Sequence, residues 1–273
     1  MLVDATHTAN AVCGFHGAHA YTGVLLGETL VSSLLLASGL KGNGTVRVKF
    51  QFSGDISYTA ADSTPLGLVR GMIPAADLRG IGEFEPMLSP PIMSVKKLDE
   101  SGSSISEGMV EMPSGNVGAA TAFYLLQSEQ TKSAAGVKAK TDAAGAGLAF
   151  CAGFLVEALP KADSKTLAIL EEVVRSLPDL STYAKEGEDF DLLGLLNDLA
   201  GPFPVRVHRE IPVTPFCPCS RAGVLQALSG LGREELEEIA MAGKETELHC
   251  EYCRKRYTAS ADEVRDLLRR LNN

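Results

Sequence analysis

The chain has 273 residues, 45% of them hydrophobic and 22% charged, which excludes wholesale disorder and collagen-like repeats. Its formal net charge of −9 disfavours a protein whose main partner is the nucleic-acid backbone. Six cysteines are too few for a secreted disulfide scaffold of this length. No apolar run approaches the roughly 20 residues of a membrane span, and the first 20 residues lack the Lys or Arg of a secretory or mitochondrial leader. We therefore expect a cytoplasmic protein without a membrane partner; an organellar location is left open.

The first 156 residues mix helical and strand patterns. Leu26, Leu30 and Leu34 recur at helical spacing and predict a helix over 24–40, which the turn at 41–44 ends. A second helix is predicted over 116–128. Alternating or short apolar runs predict strands at 46–52, 66–73, 92–97, 134–140 and 148–155. Strands with interspersed helices predict an α+β domain over residues 1–156.

The middle of the chain, residues 157–203, is predicted to be a helical linker. Residues 157–200 hold 4 basic and 10 acidic side chains, a net −6 that accounts for most of the excess charge of the chain. Asp163 or Ser164 can cap a helix that Pro178 ends, and a second short helix is predicted over 191–200.

The last part, residues 204–273, carries equal numbers of acidic and basic side chains and is predicted to be a small separate domain. It reads as a strand over 205–211, two short helices, a Cys-x-x-Cys turn and a final helix. The final helix begins with a capping box from Ser260 to Glu263.

Four cysteines in this last part form two close pairs about 30 residues apart. Zinc takes four thiolates in a tetrahedron, and a short spacing lets one turn deliver two of them. We therefore predict that one Zn²⁺ per chain is held by the four thiolates of Cys217, Cys219, Cys250 and Cys253.

Other interpretations of these cysteines are four inert buried thiols, or a thioredoxin-like motif, which would need one Cys-x-x-Cys that opens a helix. His249 adjoins Cys250 and is a further candidate ligand, although a strand position at the edge of the turn is favoured for it. A disulfide across the single residue of Cys217-Pro218-Cys219 would be strained and labile. Such a bond suits a redox switch better than a purely structural site.

The remaining cysteines lie far away in sequence. Cys151 sits in an apolar strand and is expected to be a small hydrophobic residue. Cys13 is surrounded by His7, His16 and His19, and the alternatives there are a second metal site or a flexible tail.

Evidence for an enzyme is weak in this sequence. It contains no Gly-rich phosphate loop, no nucleophile elbow and no convincing Ser/His/Asp set, and the acidic side chains Asp55, Asp62 and Glu129 are isolated candidates. We therefore expect no catalytic residues and no enzymatic activity.

Three stretches of the last part are specific enough to indicate a family: Phe-Cys-Pro-Cys-Ser-Arg at 216–221, Leu-Gly-Arg-Glu-Glu-Leu-Glu-Glu at 231–238 and Cys-Glu-Tyr-Cys-Arg-Lys-Arg-Tyr at 250–257. With them, the sequence resembles the 33 kDa chaperonin family of redox-regulated heat-shock holdases, from about residue 24 to the end. Weaker similarity lies in 124–130, 153–155 and the helix before Pro178.

The resemblance implies a chaperone that is inactive when it is reduced and zinc-bound. Oxidation would join Cys217 to Cys219 and Cys250 to Cys253, release the metal and unfold the linker. It implies that 1–156 binds substrate and dimerises, that 157–203 regulates, and that 204–273 is the zinc-binding switch. The implied partners are unfolded clients and, in the oxidised state, a second copy of the chain. The alternative is a zinc-ribbon module that binds nucleic acid or protein without a redox switch, for which the basic run 254–256 is the supporting feature.

The sequence departs from the family pattern at three places. Residues 1–23 do not resemble the strand with which the family opens, so we expect the N-terminal sheet to lack an edge; the alternative is a truncated or mis-started chain. Pro218 stands where an acidic or polar residue is usual, and Cys151-Ala152 where glycines are usual.

Overall fold

A computed structural model describes residues 1–52, 56–74, 90–112, 115–185 and 187–270. The chain divides into two units, Met1–Phe216 and Cys217–Asn273. Helices are interspersed with runs of consecutive strands in the first unit, and both kinds of element recur in the second, which confirms the predicted α+β fold.

The first unit contains the larger share of the regular structure. Its helices are α1 (Thr6–His16), α2 (Ala20–Ala37), α3 (Val117–Glu129), α4 (Ser164–Ser176) and α5 (Leu192–Ala200). Its strands are β1 (Leu2–Asp4), β2 (Thr45–Gln51), β3 (Tyr58–Ser63), β4 (Leu68–Met72), β5 (Ile92–Leu98), β6 (Ser104–Glu111), β7 (Ser133–Thr141), β8 (Leu148–Glu157) and β9 (Thr214–Pro215). The second unit holds α6 (Arg221–Ala227), α7 (Arg233–Ala242), β10 (Thr246–His249), β11 (Arg256–Ala259) and α8 (Ala261–Arg270).

Helix α2 is the core element of the first unit and packs against both of its sheets. One sheet has the strand order β6-β5-β2-β3-β4-β9, and the other has the order β1-β8-β7. By length and composition α2 could cross a membrane, but 78% of it is buried inside the fold, as in the core helix of many globular proteins. Its leucines, with Val46, Val48 and Phe50 of β2, form the main core.

Three pairs of buried hydroxyl groups fix the position of α2 within this core. Thr29 and Ser33 bond to Thr59 and Ser63 of β3, at 2.7 and 2.5 Å between the oxygens. On another side of the helix, Ser32 bonds to Thr121 of α3 at 2.8 Å. In each pair one hydroxyl donates to the other, and the second donates to a backbone carbonyl, with Leu25 accepting from Thr29, Leu30 from Ser33 and Val117 from Thr121. The polar groups of these pairs are therefore buried without an unsatisfied donor.

The N-terminus does form a strand, so the expectation that the sheet lacks an edge is wrong. Strand β1 pairs antiparallel with β8, with Leu2 opposite Phe154 and Asp4 opposite Ala152. Val3 is buried, and α1 follows directly after Ala5. A strand of three residues is too short to display the alternation by which strands are recognised in a sequence.

The predicted strand over 205–211 is also wrong, because these described residues adopt no strand. Val205 and Val207 are 48% and 58% exposed, so their alternation reflects neither a buried face nor a paired strand. His208 in this segment is exposed. The short strand β9 forms after this segment and pairs parallel with β4.

The predicted linker forms α4, a 3₁₀ turn at Leu180–Tyr183 and α5. Asp163 caps α4 by accepting from the N–H groups of Lys165 and Thr166, as one of the two predicted caps. No residue of α4 is buried. In contrast, the side chains of Leu195 and Leu199 in α5 are buried, so the two helices of the linker differ in how firmly they are held.

Candidate metal centre

Two local structures of the second unit supply the four sulfur atoms. Cys217 and Cys219 lie just before α6, while Cys250 and Cys253 lie in the turn that connects β10 with β11. Two bonds close this turn: the Cys250 N–H donates to the Lys255 carbonyl at 3.0 Å, and the Arg254 N–H donates to the Cys250 carbonyl at 2.9 Å. Arg254 takes a left-handed conformation with φ of 56°, which turns the chain into β11.

The four sulfur atoms form one cluster, and all of them lie within 4.8 Å of one another. Two close separations run between the two pairs, at 3.6 Å from Cys217 to Cys250 and 3.4 Å from Cys219 to Cys253. A zinc ion with bonds of about 2.3 Å to four sulfurs needs sulfur–sulfur edges of roughly 3.8 Å. The donor set and its spacing therefore fit a tetrahedral ion that prefers thiolates.

The electrostatics of the cluster favour a thiolate at Cys219. Burial opposes the charged form, but hydrogen bonds from Tyr257 and Cys253 outweigh it and lower the pKa of Cys219 to about 7. Burial raises the pKa of Cys253 to about 12. Four thiolates at these separations repel one another, so complete deprotonation requires a cation among them.

The hydrophobic core of the second unit is small. A salt bridge connects the cysteine segment to α8 within this unit. Arg221 lies two residues after Cys219 and donates to the Glu263 carboxylate of α8 at 2.7 and 2.9 Å. Glu263 also completes the predicted capping box by accepting from the Ser260 N–H at 2.9 Å. The buried apolar cluster of this unit consists of Leu228, Leu236, Ala240, Ala259 and Val264. A core of this size rarely stabilises a domain unless a metal or disulfide adds to it.

The residues that flank the cysteines have other partners. His249 lies in β10, as favoured from the sequence, with its Nε2 3.0 Å from Glu247. The basic run 254–256 is balanced by acidic groups, since Arg254 pairs with Glu251 at 3.4 Å and Arg256 pairs with Glu247. This pairing weakens the case for a nucleic-acid interface.

Cys13 and the nearby histidines form neither a flexible tail nor a second metal cluster among the residues that the structure describes. Cys13 is buried in α1, and burial raises the pKa of its thiol to about 12. His16 is also buried, with its Nε2 3.0 Å from the Gly71 carbonyl oxygen. Cys151 is fully buried and packs against Gly27 of α2, where a Cβ would come within 3.0 Å of its sulfur.

The acidic candidates for catalysis do not converge on one site. Asp62 is buried between Arg47 and Arg70, each of which approaches its carboxylate to 2.7 Å. Glu129 pairs with Lys97 at 2.6 Å. Asp55 lies outside the described residues.

A second feature of functional interest, not found from the sequence, is an apolar cover over one face of β8. Phe190 of the linker stacks on Phe150 of β8, with 5.6 Å between the ring centroids. The Tyr183 hydroxyl donates to Asp198 of α5 at 2.5 Å and ties the turn to the helix. The buried members of this cluster are Phe150, Ala152, Phe154, Leu180, Tyr183, Phe190, Leu195 and Leu199. The apolar residues of the segment were visible in the sequence, but their partner on β8 was not.

Comparison with known proteins agrees with these features. The family model described as Hsp33 protein matches residues 1–260, which includes the strand β1. The 33 kDa chaperonin of Syntrophotalea carbinolica is 30% identical over 272 residues, covering 96% of this chain and 92% of that protein. The 33 kDa chaperonin of Pelobacter propionicus is 31% identical over 273 residues, covering 98% of this chain and 88% of that protein. The crystal structure of the 33 kDa chaperonin of Thermotoga maritima shares the fold, with a TM-score of 0.79 at 24% identity. The match covers 97% of this chain and 91% of that chain.

Proposed function

Because this chain belongs to the Hsp33 family, we propose that it is a holdase chaperone that binds unfolding proteins when its clustered cysteines are oxidised. The observation that carries the proposal is the four-sulfur cluster in a unit with a small core. In the reduced protein Cys217, Cys219, Cys250 and Cys253 would hold one Zn²⁺. Bound zinc would serve as the cross-link that stabilises the unit, and a structural site of this kind contributes about 10–16 kcal/mol.

Oxidation by hydrogen peroxide supplies the chemical step. A thiolate attacks the peroxide, a sulfur–oxygen bond forms, the oxygen–oxygen bond breaks and hydroxide leaves. A neighbouring thiolate then attacks the sulfenic acid sulfur, a disulfide forms and a second hydroxide leaves. Each disulfide therefore consumes one peroxide, which takes up the two electrons that the two sulfurs lose. The proposed products are Cys250–Cys253 and Cys217–Cys219, and both remove sulfur ligands from the cluster.

Loss of these ligands leaves residues 217–273 with little to hold them folded. We propose that the linker, 157–203, then loosens. Its charge of −6 over 157–200 repels itself, and α4 has no buried residue. Release of α5 and Phe190 would uncover Phe150 and Phe154 on β8. Exposed aromatic and aliphatic surface of this kind suits clients that offer apolar side chains without a defined sequence.

The proposed setting is the cytoplasm, where glutathione keeps thiols reduced until oxidative stress. The proposed partners are unfolded or partly folded proteins and, in the oxidised state, a second copy of the chain. The proposed activity is binding rather than catalysis, and it involves neither a membrane nor nucleic acid.

The test is a time course of the reduced, zinc-loaded protein under mild peroxide. Zinc release, disulfide mapping by mass spectrometry, proteolysis of the linker and protection of a chemically unfolded client are followed together. We expect Cys250–Cys253 to form first, because its spacing is less strained, and client protection to follow linker cleavage. Full client protection while zinc is still bound would contradict the proposal, as would the earlier appearance of Cys217–Cys219. A Cys13→Ala variant is the control, because this buried thiol lies outside the cluster.

A further inference from the structure

The hydroxyl group of Tyr257 lies within hydrogen-bonding distance of one of the four sulfur atoms. Tyr257 lies in β11 opposite Leu248 of β10, and its Oη is 3.2 Å from the Sγ of Cys219. The same hydroxyl group can also donate to the Cys219 carbonyl oxygen at 3.3 Å, so its single hydrogen is shared between the carbonyl oxygen and the sulfur. A thiolate has no hydrogen to donate, so the phenol hydrogen is the donor when Cys219 is deprotonated.

The position of Lys255 strengthens this donor. Its ammonium group lies over the Tyr257 ring, 5.6 Å from the centroid. A cation over an aromatic face draws electron density from the ring and makes the phenol hydrogen more positive. A hydrogen bond with an ionised acceptor is also stronger than a neutral one.

The hydrogen bond acts on Cys219, the sulfur that would otherwise compete with Cys250 to form a disulfide with oxidised Cys253. Cys219 lies 3.4 Å from Cys253 and is close enough to attack an oxidised Cys253 sulfur. Donation from Tyr257 engages a lone pair of the Cys219 thiolate, and that interaction weakens when the sulfur gives up its charge to form a new bond. Attack by Cys219 is therefore slowed relative to attack by a sulfur without this phenol.

We propose that Tyr257 is a positioning residue for the oxidation of the cluster, one that restrains Cys219 so that oxidised Cys253 is joined to Cys250. This inference rests on the proposed function, because it assigns the order and pairing of the proposed disulfides. The co-reactant is hydrogen peroxide, and the bonds formed and broken are those of the two-step oxidation described above.

The test compares Tyr257→Phe with the unchanged protein, both reduced and loaded with zinc. Peroxide is added below one equivalent, free thiols are trapped at intervals, and fragment spectra resolve the modification of Cys219 from that of Cys217. The Cys219 rate is divided by the Cys250 rate in the same sample, which cancels any general loosening of the fold. We expect this ratio to rise about three- to tenfold, a fraction of the contribution of a charge-assisted hydrogen bond. The share of a Cys219–Cys253 bridge should rise with it.

The matched control is Tyr58→Phe. Tyr58 also has a lysine over its ring, with Lys49 Nζ 4.3 Å from the centroid, but it lies in the first unit, and the ratio should not change. An unchanged ratio in Tyr257→Phe would overturn the proposal, as would an equal acceleration of all four cysteines. If Tyr257→Phe binds zinc less tightly, both proteins are compared at a free zinc concentration that saturates both, and the same two results decide. These rates do not depend on client binding, so a failure of the chaperone proposal would be seen separately.

Discussion

The ammonium group of Lys138 on β7 donates to both carboxylate oxygens of Asp179, at 2.7 Å each. Asp179 also accepts from the Ser181 N–H at 2.9 Å and so caps the turn Leu180–Tyr183. One carboxylate therefore begins this turn of the linker and attaches it to the sheet.

Asp179→Ala should loosen the linker in the reduced protein. It removes the cap, which contributes about 1 kcal/mol, and an exposed ion pair that contributes less. Hydrogen bonds from Lys138 and Ser181 lower the pKa of Asp179 to about 2. The charged carboxylate therefore makes its full contribution to the stability of the linker above the ordinary pKa of Asp, near 4, and this contribution is lost as the pH falls toward 2. Limited proteolysis at neutral pH should cut the linker faster in Asp179→Ala than in Asp179→Asn, which retains an acceptor for the cap. Equal cleavage of both variants and the unchanged protein would show that the carboxylate does not hold the linker.

Leu195→Ala should release α5 without any oxidation. The Leu195 side chain is fully buried in the cover over β8, and a buried Leu→Ala change costs about 2–5 kcal/mol. We expect the reduced variant to be cut in the linker and to protect a client from aggregation. Leu193→Ala on the same helix is the matched control, because Leu193 is 72% exposed. If the reduced forms of both variants protect clients equally poorly, the cover does not control client binding.

Replacement of a single cysteine of the cluster by Ser should lower its zinc affinity sharply. Cys250→Ser, for example, substitutes a harder oxygen for one of four sulfur donors. Zinc content after dialysis against a chelator should fall well below one ion per chain, whereas Cys13→Ala should retain it. Full retention in any one Ser variant would remove that residue from the predicted ligand set.

The stability of the first unit should depend on the protonation of Glu28. Burial raises the pKa of this carboxyl to about 7, although the Ala139 N–H and the Lys138 ammonium favour its charged form. Between an unfolded pKa near 4.5 and the folded value, the folded state binds a proton that the unfolded state has lost. The free energy of unfolding therefore falls as the pH rises through this window and stays low above it.

Glu28→Gln should remove that dependence. We expect it to exceed the unchanged protein in stability by about 1–2 kcal/mol at pH 8 and to differ little near pH 4.5. The other charged or titratable groups near Glu28 are Tyr21, Cys151 and Lys138, and Gln leaves them in place. Urea unfolding, followed through hydrogen exchange of the α2 amides, measures the difference. Parallel pH curves for the two proteins would refute the role of Glu28.

The sequence supported the prediction of elements that carry their signal locally. Helix α2, the strands β2 and β5 and the β7–β8 pair were predicted from periodicity, and the cysteine cluster from the spacing within each pair. Strand β3 was not predicted because Asp62, which its arginine neighbours neutralise, interrupts the apolar pattern. Helix α1 was not predicted because Ala5 precedes it without a side-chain cap.

Long-range partners could not be predicted in the same way. The contact of Phe190 with Phe150 joins residues 40 positions apart, and nothing in either segment alone indicates it. Tyr257 lies within the motif that resembled the family, but only the folded hairpin places its hydroxyl on Cys219 rather than on another sulfur. The alternation over 205–211 was misleading because a strand also needs a neighbour with which to pair.

The hydroxyl pairs that fix the position of α2 help to make the proposed uncovering of β8 reversible. If the helix slid by one turn, Thr29, Ser32 and Ser33 would lose their partners on β3 and α3, at about 1–3 kcal/mol for each unsatisfied group. The inward face of β8, with Cys151 and Leu155, packs in the same core. The outward face of β8 should therefore keep its shape while it is uncovered, and serve as a preformed template on which the linker docks again once the thiols are reduced.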